Sequence, residues 1–262
     1  MNNDVKKLLI EALVDQQEIF GDELFVKKTF DVNPNQFKTA VDASSTKYNA
    51  NEQSLKVAER IETETGSSLF NEDFMNAGTI AELNSQICEC QKCALGKTRT
   101  KFVFGVGNPN AHAMLIGEAP GADEDLQGEP FVGRAGKLLN EILKAVNLKR
   151  EEVYIANILK CRPPGNRDPQ SNEMETCTPY LHKQIDLIKP KIILCLGRVA
   201  ANSLLNKKLS LTDLRNNIYE FNGIKVMATY HPAALLRNPH WKRGCWEDVQ
   251  KFKKLYDELL EN

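Results

Sequence analysis

Four cysteines stand where a metal centre or a redox pair would need them. Cys90 and Cys93 form a C-x2-C within CECQKC, Cys161 opens the basic, proline-rich CRPPGNR, and Cys177 follows sixteen residues later. In a chain of cytoplasmic type, a tight C-x2-C reads as metal ligation or dithiol chemistry rather than as a structural disulfide. Thiolate tetrads take zinc or an iron–sulfur cluster, and spacing alone does not choose between them. Cys88 competes with Cys90 but falls on the predicted end of a helix. Cys195 in an apolar strand and Cys245 in a helix read as packing residues. A second dense stretch is GEAPGADEDLQGEPFVGRAG, beginning at Gly117, with five acids in twelve residues: Glu118, Asp123, Glu124, Asp125 and Glu129. Carboxylates repel phosphate and no G-x4-G-K-[ST] is present, so this is not a nucleotide-phosphate cradle. Its glycines permit close backbone approach to a ligand, and Phe131, an aromatic in a polar loop, suits stacking on a planar ring. Taken singly, the acids read equally well as a solvated loop, and His231 as a core histidine with its bonds satisfied.

The elements that must position these residues are legible from about residue 111. Short β-rich runs alternate with helical stretches: AMLIGEAPG then GRAGKLLNEILKAVN, VYIANILKC then a helix ending near Ile188, KIILCLG then RVAANSLL, and IKVMATYHP then a C-terminal helix. Four βα units with near-continuous apolar strands predict an α/β fold, a three-layer α/β/α sandwich around a four-stranded, mainly parallel sheet. Ligands of such sheets bind at the carboxyl ends of the strands. Three strands end in chemically loaded loops: GEAPG after the first, Asn157 to Cys161 after the second, and His231-Pro232 after the fourth.

The N-terminal part is different in kind. Residues 4–20 read as an amphipathic helix and residues 30–66 as a linker or loosely ordered arm. Asp73 or Thr79 caps a helix running to about Ile87, with Ile80, Leu83 and Ile87 on one face. The net charge of −1 is a sum of two opposed parts: residues 1–80 hold 8 Lys+Arg against 14 Asp+Glu (8 − 14 = −6), and residues 81–262 hold 26 against 21 (26 − 21 = +5). Two domains are therefore expected, an acidic, mostly helical or partly disordered N-terminal extension over 1–80 and a catalytic domain over 81–262. No apolar run approaches the roughly 18 residues needed to span a bilayer. The acid-bearing N-terminus has no secretory h-region, so a cytoplasmic, membrane-free protein is expected.

In order along the chain, the C-x2-C, GEAPG…GEPFVGRAG, NILKCRPPGNR and HPAALLRNP resemble the motifs of the family 4 uracil-DNA glycosylases, over about residues 86–260. The resemblance implies excision of uracil from single- or double-stranded DNA by a monomeric, monofunctional hydrolase that leaves an abasic site. It implies a structural [4Fe–4S] cluster on Cys90, Cys93, Cys161 and Cys177, with Cys88 outside it. The uracil pocket would be Gly117, Glu118, Ala119, Phe131, Asn157 and His231; Glu124 and Glu118 join His231 as catalytic candidates; Leu235, Leu236 and Arg237 would form the wedge that enters the duplex. Where the best-known branch of the superfamily carries a water-activating Asp after the first acid, this chain has Ala119, a departure the family shares.

Physical reasons attach to these implied roles. Stacked uracil must be extruded before its glycosidic bond can be reached, at a cost of a few kcal/mol that a wedge and pocket contacts offset. One planar amide at Asn157 complements the O4 and N3–H edge of uracil, whereas cytosine presents the inverse pattern. His231 at a strand end suits donation to the developing oxyanion on O2. Arginines of the Cys161–Cys177 loop, Arg162 and Arg167, and the runs Lys160 to Arg167 and Arg237 to Arg243 are expected to meet phosphates. A glycosylase-like protein that binds uracil or abasic DNA without turnover is the alternative, and the acidic extension is expected to dock a protein partner or cap the domain.

Overall fold

The strands that carry the site are largely apolar because both faces of the sheet are covered. In the computed structural model, which describes residues 73–261, β2 (Ala113–Gly117), β3 (Tyr154–Asn157) and β4 (Ile192–Leu196) are buried throughout, as is the second half of β6 (Ile224–Thr229). These four are mutually parallel in the order β3-β2-β4-β6. The readings placed on residues 4–20 and 30–66 lie outside the described residues.

The sheet has six strands rather than the expected four. The additions are short antiparallel edges: β1 (Val106–Gly107) pairs with β3, and β5 (Tyr219–Phe221) pairs with β6. The β5–β6 hairpin turns on Asn222 (φ 49°) and Gly223 (φ 81°), two left-handed residues whose twist matches that of the flanking strands. Neither edge strand alters the mainly parallel core.

Alternate strand residues serve two cores. On one face Leu115, Ile155, Leu194 and Met227 pack with α3 (Arg134–Ala145) and α8 (Lys242–Glu261); on the other Met114, Ile116, Ala156, Ile193 and Ala228 pack with α4 (Ser171–Ile188) and α5 (Arg198–Leu205). The helix α1 (Ile80–Ile87) begins at Thr79, whose hydroxyl accepts the Glu82 N–H at 3.1 Å, as an N-cap should. Its Leu83 and Ile87, with Phe74 from the short 3-10 turn Asp73–Asn76, enter a third cluster around Cys161, Cys177 and Tyr180. Among three further short helices, α2 (Ala122–Gln127) and α7 (Pro232–Arg237) sit directly after β2 and β6, and α6 (Leu211–Arg215) precedes β5. No helix among the described residues is long and apolar enough to cross a membrane.

Candidate active site

The chain leaves β2 to one side to form β3, then passes over β2 to form β4 on the other side. At such a switch point the loops splay apart and leave a crevice beyond the strand ends. A cavity of about 330 Å³ occupies it, lined by Glu118, Ala119, Glu124, Phe131, Asn157 and His231 among others. Gly117 lies behind these residues, paired in register with Asn157.

The acid-rich loop is held by its own carboxylates. Glu124 is nearly buried: one oxygen accepts the Gly121 N–H at 3.1 Å, and the other accepts the Val132 and Gly133 N–H groups, each at 3.0 Å. Asp125 accepts the Thr100 N–H at 2.9 Å. Two of the five acids therefore fold the loop, and their charge is met by backbone donors. Clamped at both ends, the loop turns Phe131 inward at φ 54°, an uncommon value for an aromatic residue. A Cβ on Gly117 would strike the Phe131 ring and the Asn157 amide oxygen, and one on Gly136 would strike the Phe131 carbonyl, so both positions demand glycine.

Asn157 is 1% exposed, and its Oδ1 has no hydrogen-bond partner. A buried acceptor left unmet costs about 1–3 kcal/mol, and this one lines a cavity. It is suited to a ring N–H. Across the same space the Phe131 and His231 rings stand 5.5 Å apart at 32°. His231 caps α7, and its Nδ1 accepts the Ala233 N–H at 3.2 Å. Burial, reinforced by Arg237 and opposed by Glu124, pushes the imidazole down to about 4. The ring is thus neutral at pH 7, and an accepting Nδ1 places its one proton on Nε2, making Nε2–H the donor.

Of the two loop acids that line the cavity, Glu118 is the one without such a clamp. Burial and then Asp168 raise its carboxyl above the usual range, against the opposing pull of Arg198. Asn166, Arg167 and Asp168 also line the cavity and were not foreseen as pocket residues. Arg167 does not offer its fork to a phosphate: both terminal nitrogens engage the buried Glu173, at 2.9 and 2.6 Å. Glu173 also accepts the Gln170 N–H at 2.9 Å, which ties the ion pair to the start of α4. Lys160 is likewise removed from any phosphate role, because it is fully buried with Nζ donating to the Asn157 carbonyl at 2.9 Å and to Gln184 Oε1 at 2.6 Å. Along the expected wedge, Leu235 is 0% exposed in the core whereas Leu236 is 40% exposed. Leu235 anchors α7 and cannot enter a duplex; Leu236 stands at the surface, and Arg237 lines the cavity.

Four of the seven cysteines belong to one cluster. Cys161 and Cys177 are buried in the third cluster with Cys90 and Cys93 packed against them, all as free thiols. Their sulfurs attract donors: Lys160 N–H to Cys177 at 3.3 Å, the Tyr180 hydroxyl to Cys90 at 3.2 Å, and Arg99 to Cys161 at 3.5 Å. Burial raises the Cys161 thiol against the pull of Arg99, and Cys93 and Cys90 add to the rise. Cys88 instead turns its thiol to the Ser85 carbonyl, Cys195 is in the second core, and Cys245 in the first. Among the described residues no group of three or more His, Cys, Asp or Glu side chains is drawn in tightly enough to hold a single metal ion. The donor chemistry of the four thiols, ringed by N–H and O–H groups, fits a thiolate-bound cluster.

Residues 104–259 match the model of the uracil DNA glycosylase superfamily. A type-4 uracil-DNA glycosylase of Archaeoglobus fulgidus is 45% identical over 185 residues, covering 68% of this chain and 93% of that protein. One from Saccharolobus solfataricus is 46% identical over 178 residues, covering 64% of this chain and 82% of its own. A type-5 uracil-DNA glycosylase of Pyrobaculum aerophilum is 30% identical over 147 residues, covering 49% and 64%. With the crevice at the switch point and the motif loops around it, these likenesses make the chain a member of the uracil-DNA glycosylase superfamily, on its type-4 branch.

Proposed function

We propose that this protein removes uracil from DNA by hydrolysing the N-glycosidic bond of an extruded deoxyuridine, leaving an abasic site for base excision repair. The observation that carries the reading is the orphaned Oδ1 of Asn157, buried at the wall of a cavity that also presents Phe131 and a neutral His231. Uracil answers each group. Its N3–H meets Oδ1, its O4 takes the amide N–H, its face lies on Phe131, and its O2 receives Nε2–H of His231. Cytosine would bring a lone pair at N3 to Oδ1, and such mismatches at buried polar groups discriminate strongly.

Excision then follows from where charge develops. As the C1′–N1 bond breaks, its electron pair stays with the base and negative charge gathers on O2, where the Nε2–H donor is already in place. The sugar becomes cationic at C1′; water adds there and loses a proton. Glu118, with a raised carboxyl at the cavity wall, is the acid placed to receive it, whereas both oxygens of Glu124 are committed to holding the loop. Leu236 and Arg237 fill the space vacated by the extruded nucleotide. Cys90, Cys93, Cys161 and Cys177 would hold a [4Fe–4S] cluster, which supplies a covalent staple between the C-x2-C segment, the loop after β3 and α4. On this reading residues 81–262 are the glycosylase domain, and the acidic residues 1–80 are an appendage to it.

The test is direct. The protein is incubated with a uracil-containing oligonucleotide, treated with alkali and resolved for strand breaks at the uracil position. Cleavage at uracil but not at cytosine is expected; intact oligonucleotide at high enzyme excess overturns the reading in favour of a non-catalytic binder. Protein purified anaerobically should be brown with broad visible absorbance, and a colourless preparation overturns the cluster.

A further inference from the structure

Large apolar side chains at the surface usually need no explanation when scattered singly, but Trp241 is 42% exposed and is not loosely held. One face of its indole stacks on Tyr230, with ring centres 5.3 Å apart and planes at 20°. Tyr230 is in turn fixed from behind. Arg215 lies over its ring at 4.2 Å and donates to its hydroxyl at 2.7 Å. The same guanidinium is pinned by Asp248 at 2.6 and 3.1 Å and by the Gly244 carbonyl at 2.8 Å, while Asp248 also accepts the Thr229 hydroxyl at 2.8 Å. A buried ionic network thus ends in a two-ring stack whose outer face is open.

Its position relative to the site is set by the chain. Tyr230 immediately precedes His231, and Trp241 follows Arg237 by four residues, on the turn that joins α7 to α8. Leu236 and Trp241 are exposed within five residues of each other on this segment. From His231 to Trp246 the chain contains no acid and carries Arg237, Lys242 and Arg243, the last paired at 3.4 Å with Glu247 just beyond. A rigid aromatic face in a cationic stretch, a few residues along the chain from the cavity-lining His231 and Arg237, suits one occupant above others, a nucleobase whose phosphates run along the positive residues. Bases within a duplex already have both faces stacked and gain nothing from an added ring. An unpaired base has a face to offer.

We propose that the open face of Trp241 is a stacking platform for an unpaired nucleobase next to the extruded uridine, which favours uracil in single-stranded or locally melted DNA over uracil in a closed duplex. This rests on the uracil-DNA reading of the cavity and adds to it a second, base-binding contact outside it. Because Tyr230 and Arg215 hold the ring in advance, little side-chain freedom is lost when a base stacks on it.

The experiment compares wild type with Trp241→Ala and Trp241→Phe on three ligands of one sequence: a uracil-free single strand, a uracil-containing single strand and the same strand as a U:A duplex. For Trp241→Ala, Kd for the uracil-free strand and KM for the single-stranded substrate should rise about tenfold. Its kcat should stay unchanged and its duplex KM within about twofold, whereas Trp241→Phe should keep most of the affinity. Trp246 is 7% exposed, so quenching of tryptophan emission by the uracil-free strand should report on Trp241 and vanish in both variants. Unchanged single-strand affinity, or an equal rise for strand and duplex, overturns the platform, as does quenching that persists in the variants. Affinity for uracil-free DNA needs no excision, so a wild-type protein that binds in this way yet cleaves nothing would sink the glycosylase reading and leave the platform standing.

Discussion

Replacing Asn157 by Leu should abolish most activity while leaving the fold as stable as before or more so, and the two directions together test the reading of the pocket. Leu has the same number of side-chain heavy atoms as Asn and removes the polar pair. Without ligand the wild-type protein keeps a buried Oδ1 unpaired, a deficit of about 1–3 kcal/mol that an apolar group of similar shape relieves. Set against imperfect repacking beside Gly117 and Phe131, the net gain is up to about 2 kcal/mol; at about 2–4 °C per kcal/mol for a domain of this size, Tm should rise by as much as about 8 °C and should not fall. With substrate the balance reverses. Uracil N3–H and O4 would both be buried without partners, at about 1–3 kcal/mol each. A loss of about 2–6 kcal/mol is a fall of about 30-fold to 20,000-fold in kcat/KM. Melting followed by circular dichroism gives the first quantity and single-turnover excision from a uracil oligonucleotide the second. A Tm lowered by more than about 5 °C would mean that Asn157 is a structural amide whose oxygen is satisfied, and excision within about threefold of wild type would remove it from the base-recognition edge.

Four other outcomes follow from the same geometry. Leu235→Ala removes a fully buried side chain and should cost about 2–5 kcal/mol of stability, while Leu236→Ala should leave Tm unchanged and slow excision from duplex more than from single strands, as read by parallel melts and rates. Glu124→Gln puts an NH2 group where one carboxylate oxygen accepts a backbone N–H, so at least one of three amides loses its acceptor; a loss of about 1–3 kcal/mol and a drop in excision should appear together, with Tm and kcat/KM as the measures. His231, held down to about 4 by burial, should contribute no decline in kcat/KM until pH approaches 4, so an acid-side fall at higher pH reports the raised Glu118 carboxyl and should be absent from Glu118→Gln. Since the folded value of His231 lies below the unfolded 6.5, the unfolded chain takes up the proton first. Stability therefore falls as pH drops from about 6.5 towards 4, and the wild-type Tm advantage over His231→Gln should narrow across that window.

Much of this is legible in the sequence because it depends on local pattern. The runs at 113–117, 154–157 and 192–196 are strands since only a doubly covered sheet buries every residue of such runs, the run at 224–229 joins them through its buried second half, and the parallel order places their ends together. Thr79 capped its helix as its hydroxyl requires. The edge strands were missed for opposite reasons. Val106–Gly107 is two residues long and has no pattern to read, whereas Asn222-Gly223 is a strong hairpin signal that stood between two short, mixed runs. The errors among the basic residues have one cause. Lys160 and Arg167 were assigned to phosphate by their charge and their motif, but sequence does not say which way a side chain turns. Lys160 turns inward to a carbonyl and an amide, and Arg167 to Glu173. Adjacent leucines posed the same problem: on a helix Leu235 and Leu236 point about 100° apart, so one had to be core.

Three unfavourable features of this domain meet around one cavity. Phe131 holds a left-handed backbone, Asn157 keeps an acceptor without a donor, and His231 gives up its charge to burial. None of the three is needed by the sheet, whose two cores close without them except for the packing of Phe131. Natural sequences retain such local costs where a ligand, absent from the empty fold, relieves them. Each cost here also has its own brace: Glu124 for the Phe131 loop, Lys160 for the Asn157 carbonyl, and the Ala233 N–H for the His231 tautomer. A site braced in this way is organised before substrate arrives, so the binding energy of the flipped base is not consumed in arranging it and remains for the charge that appears on O2 in the transition state.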